Sequence, residues 1–194
     1  MHRITASLVA VLSAGCLAEA PARFTTLAIA ARTGDLATMH RLLASGVSPN
    51  VVDPGGNRWT PLLHAIHKEQ LASVDLLLRS GADPKLSVNN LQPLLMAVAT
   101  GNAPIVRRLI QAGADPRSDD NIFLTAVSGG ALSDLDNPLL GRCNADVAKA
   151  LLERAPDLRL RPGPRARIAL WFAWFNHCGA ELKAAGVKGV NESS

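Results

Sequence analysis

WTPLLHAIHKEQLASVDLLLRSGADPK, from Trp59 to Lys85, reads as two short helices joined by a turn and followed by a departing loop. Thr60 is placed to cap a first helix, and Pro61 suits its first turn, where a backbone N–H would have no helical partner anyway. Leu62, Leu63, Ala65 and Ile66 supply one apolar face, and Val74, Leu77 and Leu78 give a second helix its own. Gly81 ends that helix, because glycine enters the left-handed conformation without penalty. Two helices this short cannot bury their apolar faces alone, so the segment requires copies of itself on either side.

The copies are present. One begins at Thr25-Thr26-Leu27 and reaches Leu42-Leu43 and Gly46; another begins at Gln92-Pro93-Leu94-Leu95 and reaches Leu109-Ile110 and Gly113. Thr25 to Leu42, Thr60 to Leu77 and Gln92 to Leu109 are each 17 residues apart. A constant interval means that the same helix pair is being built repeatedly.

These residues resemble the ankyrin repeat family over roughly residues 24–158. Thr60-Pro61-Leu62 matches the start of the T-P-L-H-x-A signature, Gly81-Ala82-Asp83-Pro84 and Gly113-Ala114-Asp115-Pro116 match the G-A-D-P turn, and Thr33-Gly34-Asp35 matches the turn between helices. Leu63 stands at the family's histidine position with His64 beside it, which implies loss of the hydrogen bond that histidine makes to the neighbouring turn. The resemblance implies an all-α solenoid of about four helix-turn-helix repeats, used for binding another protein. A fourth copy departs from the pattern: Asn121 to Leu151 spans 30 residues, so an insertion of 13 is placed between Gly129 and Asn144, where glycine, aspartate and proline mark a loop.

After the array, residues 159–186 are expected to form an arginine-rich linker and one capping helix, Ile168 to Leu182, followed by a loose tail at 187–194. Trp171, Phe172, Trp174 and Phe175 lie in that helix. Either they cover the open end of the stack or they form an exposed aromatic patch for a partner or a membrane surface.

Residues 1–20 read as an export signal, with Met1-His2-Arg3 ahead of an apolar run too short to span a bilayer. Leu12-Ser13-Ala14-Gly15-Cys16 resembles a bacterial lipobox with Cys16 as the lipidated residue, whereas Ala18-Glu19-Ala20 offers a competing cleavage site. Export would leave Cys143 and Cys178 as a candidate disulfide, with two separate thiols as the alternative. The formal charge of +4 is modest and dispersed, which gives nucleic-acid binding little support.

No catalytic or cofactor motif stands out. His64 and His67 share a helix, but two ligands do not make a metal site, and a polar helix face is the preferred reading. His177 and Cys178 are adjacent on a helix and point apart, and Asp119 and Asp120 sit on a wet hairpin tip. A non-enzymatic, monomeric binding protein of the bacterial envelope is therefore expected: an inhibitor or immunity protein for a toxin or hydrolase, or a scaffold for an envelope enzyme such as one in oxidative defence, with an enzyme built on the insertion and the C-terminal helix, through His177 or Cys178, as the remote alternative. Its contacts are expected from the loops and inner-helix edges: Asn57, Arg58, Trp59, His67, Lys68, Asn89, Asn90, Gln92, Arg117, Asp119 and Asp120. Trp59 is either the principal anchor for a partner or packing for the next loop.

Overall fold

The structure is a computed structural model that describes residues 24–55, 57–128 and 144–190. It contains ten helices among the described residues, in five consecutive pairs: α1 Thr26–Thr33 with α2 Leu36–Ala44, α3 Pro61–His67 with α4 Leu71–Arg79, α5 Pro93–Ala99 with α6 Ala103–Gln111, α7 Asp120–Ser128 with α8 Ala145–Arg154, and α9 Pro164–Phe175 with α10 Gly179–Ala184. Each first helix packs on the first helix of the next pair, and each second helix on the next second helix. Two parallel rows of short helices result, with one continuous core between and along them.

Local chemistry explains the pairs. The Thr25 and Thr60 side chains accept hydrogen bonds from Ala28 N and Leu63 N, and proline occupies the first turn of α3, α5, α6 and α9. The turn between helices places Gly34, Glu69, Gly101 and His177 in the left-handed region. At the ends of α2, α4, α6 and α10 a left-handed glycine, Gly46, Gly81, Gly113 or Gly186, lets the next residue's N–H reach back to a leucine carbonyl (Leu42, Leu77, Leu109, Leu182), whereas α8 ends at Ala155 with no glycine. Of those leucines, Leu77, Leu109 and Leu182 are almost wholly buried. Leu63, at the position where histidine was expected, is 0% exposed and fills the core.

The C-terminal region differs from expectation. One helix from Ile168 to Leu182 is replaced by α9 and α10, broken where His177 N bonds to Trp174 O at 2.9 Å and Cys178 N to Ala173 O at 2.8 Å. That is the bonding of the turn at Glu69, where Glu69 N meets Ile66 O and Gln70 N meets Ala65 O. The capping element is thus a fifth helix pair. Its second helix is shorter than the others, 6 residues against 9 in α4 and α6. Residues 187–190 are not a loose tail as expected, because Val187 is 3% exposed and Val190 packs on the core; 191–194 lie outside the described residues. The export segment with Cys16, the bulk of the insertion and Cys143 lie outside the described residues.

Candidate protein-interaction surface

The loops between pairs project as hairpins, and each is tied to the next. In the first, Asp53 N bonds to Trp59 O at 3.0 Å and Arg58 N to Gly55 O at 3.2 Å. In the second, Val88 and Leu91 exchange backbone hydrogen bonds across Asn89 and Asn90, both with positive φ, the two-residue turn for which asparagine is well suited. Asn89 Nδ2 donates to Asn57 O at 3.0 Å, joining the first tip to the second, and Ser118 Oγ donates to Gln92 Oε1 at 2.8 Å, joining the second to the third. Arg117 closes on Asp157 through both carboxylate oxygens, which holds that carboxyl below the usual range. Arg161 pairs with Asp120 at 2.9 Å, so the third tip is fastened to the linker that follows α8.

Lower in the loops the ties are buried or backbone-directed. The Asn50 side chain accepts from Asp83 N at 2.8 Å and donates to Gly81 O at 3.0 Å, bridging two successive turns. Asp53, 2% exposed, accepts from Thr25 N at 2.8 Å and from His64 Nε2 at 2.5 Å. His64 therefore replaces the hydrogen bond that Leu63 cannot make, using a side chain in the preceding loop. Phe24 and Trp59 stand edge-on to its ring, and Nδ1 is buried without a partner. Burial in this aromatic cage pushes the His64 pKa down, against the opposing pull of Asp53.

The expected contact residues divide accordingly. Asn57, Arg58, Asn89 and Asn90 are exposed at the tips, and Lys68 is half-buried at the end of α3. Gln92, Arg117, Asp119 and Asp120 are engaged within the chain, Asp119 through Asn121 N at 2.8 Å at the start of α7. His67 requires correction. It is 7% exposed, and α3 has no polar face, because all of its residues are buried between neighbouring pairs. Trp59 is half-buried, with its ring 5.3 Å from His64 and 5.2 Å from His67, both edge-on. This favours packing over partner contact, so Trp59→Ala is expected to cost about 2 kcal/mol in a urea melt. An unchanged melt would return Trp59 to the contact surface.

Cys178 is disulfide-bonded, which removes it as a thiolate nucleophile beside His177. Its expected partner, Cys143, lies outside the described residues. No group of three or more metal-ligating side chains occurs among the described residues, and no described helix is long and apolar enough to cross a membrane.

Sequence reasoning did not place Asn50 and Asp53 as structural clasps, although both were visible as loop residues; their partners lie 33 and 11 positions away. It left open where the α9 aromatics point. Trp171, Trp174 and Phe175 point outward, 52%, 48% and 59% exposed, while Phe172 is half-buried.

A family model described as ankyrin repeats (3 copies) matches residues 27–120. Among solved structures, the ankyrin repeat domain of human ASB11 is similar to the chain with a TM-score of 0.65 and 24% identity, covering 86% of this chain and 70% of that one. At that identity the likeness speaks for the fold. No curated protein matches the sequence.

Proposed function

Because this chain belongs to the ankyrin-repeat family, whose members serve as protein–protein interaction modules, we propose that it is an exported, non-enzymatic binding protein of the bacterial envelope. Its partner is another protein of that compartment, and the chain acts as an inhibitor or immunity protein for a toxin or hydrolase. The observation that carries the reading is the row of hairpins, the first tip hydrogen-bonded to the second and the base of the second to the third, that holds Asn57, Arg58, Asn89 and Asn90 exposed in a fixed arrangement. Loops ordered in advance lose little entropy on binding, so polar tips become a usable recognition surface. A disulfide at Cys178 supports an oxidising compartment.

The test is capture of the partner from envelope extract, followed by its activity in the presence of the chain. Arg58→Asn with Asn90→Gly alters the tips while keeping residues that tolerate positive φ. This variant is expected to weaken capture about tenfold, the effect of losing roughly 1.4 kcal/mol of contact. Unfolding free energy should change by no more than about 0.5 kcal/mol. Undiminished capture would remove the tips as the contact surface, and a partner whose activity rises when bound would make the chain a scaffold.

A further inference from the structure

Solenoids end in repeats whose outer face is polar, since nothing stacks there. The last first-row helix among the described residues does the opposite. Ala166, Ala169 and Ala173 are buried on one side of α9, which packs against α7. On the other side Ile168, Trp171 and Phe175 are 56%, 52% and 59% exposed. Their spacing of three and four residues sets them in one stripe along the helix. The Trp171 and Phe175 rings stack at 5.3 Å with planes 20° apart, so the stripe stands as a continuous ridge.

The segment that carries this face is basic, although Asp119, Asp120 and Asp157 line the same cavity as Arg165. From Leu158 to Ala180 the chain has four arginines and no aspartate or glutamate. Arg161 is paired with Asp120, and Arg159 donates to the Pro156 and Leu158 carbonyls. Arg165 and Arg167 are exposed on α9 itself and have no carboxylate partner among the described residues.

We propose that the outer face of α9 docks on an anionic phospholipid surface, with Ile168, Trp171 and Phe175 entering the headgroup boundary and Arg165 and Arg167 meeting the phosphates. Aromatic rings settle at that depth, and arginine keeps its head among the phosphates while its stem lies along apolar groups. A ridge needs no complementary groove in a bilayer, whereas a protein partner would have to supply one. Two copies meeting across this face would bring together four arginines that have no carboxylate partner among the described residues, so charge opposes a second copy as occupant. The site uses residues separate from the hairpin tips and stands without the partner proposed above.

The experiment uses the full chain in a Trp59→Phe background, so that emission comes only from Trp171 and Trp174. Vesicles of phosphatidylglycerol and phosphatidylethanolamine carrying brominated acyl chains are expected to quench it, and phosphatidylcholine vesicles are not. Trp171→Ser with Phe175→Ser, followed through Trp174, should weaken the partition about tenfold or more. Arg165→Gln and Arg167→Gln should each weaken it about fivefold. Circular dichroism melts check that the variants fold, as expected for exposed positions. Vesicle binding without quenching would place the contact elsewhere in the chain and overturn the proposal. So would quenching indifferent to lipid charge, a concentration-dependent dimer that these substitutions abolish, or loss of an acidic protein partner with vesicle binding intact.

Discussion

Asp53→Ala is expected to lower the unfolding free energy by about 3 kcal/mol, the cost of stranding buried donors that shared one carboxylate. The side chain is 2% exposed and joins three parts of the fold: the start of α1 through Thr25 N, its own loop, and α3 through His64 Nε2. Asp53→Asn retains an acceptor for Thr25 but faces His64 with a donor, so about half the loss is expected. Urea melts of the two variants check the order, and equal stabilities would show that the carboxylate is not the common anchor.

The same cluster gives a pH signature. Burial lowers the folded-state pKa of His64 below 6.5, and protonating Nδ1 would add a buried N–H with no acceptor. The unfolded chain therefore takes up this proton more readily. The stabilisation is fully present above the ordinary histidine range and is lost as pH falls through it. One proton limits the slope to about 1.4 kcal/mol per pH unit. His64→Gln should flatten this part of the stability curve between neutral and mildly acidic pH, and an unchanged slope would assign it to another group.

Leu77→Ala is expected to cost about 3–4 kcal/mol, because a fully buried leucine loses both its transfer energy and the contacts around the cavity left behind. Leu42 occupies the same place in the first pair, but that pair has a described neighbour on one side only, and Leu42 is half-buried. Leu42→Ala should cost about half as much. The comparison isolates position in the stack from residue chemistry. Equal losses would mean that the first pair is as enclosed as the second.

What was legible in the sequence was whatever repeats. The 17-residue interval, the threonine and proline at helix starts and the glycine after the leucine pair are local signals that recur, and they led to the helix pairs before any contact was known. The fifth pair escaped because its signals are altered. Histidine rather than glycine holds the left-handed turn, and the distance from Gly163, at the head of α9, to Leu182 is 19 residues. The Lys68-Glu69-Gln70 turn in the best-formed repeat shows the same tolerance, since neighbouring hydrogen bonds stabilise a left-handed residue that local preference disfavours.

By itself the sequence determined the unit and its repetition, because helix caps, turn residues and apolar spacing act over a few residues. Only tertiary structure decided which polar side chains serve the fold. Asp53 and His64 look like surface residues until adjacent pairs enclose them, while Trp171 and Phe175 look like core until the alanines of α9 take the inner face. Burial depends on what stacks against a side chain, and in a solenoid that neighbour is the next repeat.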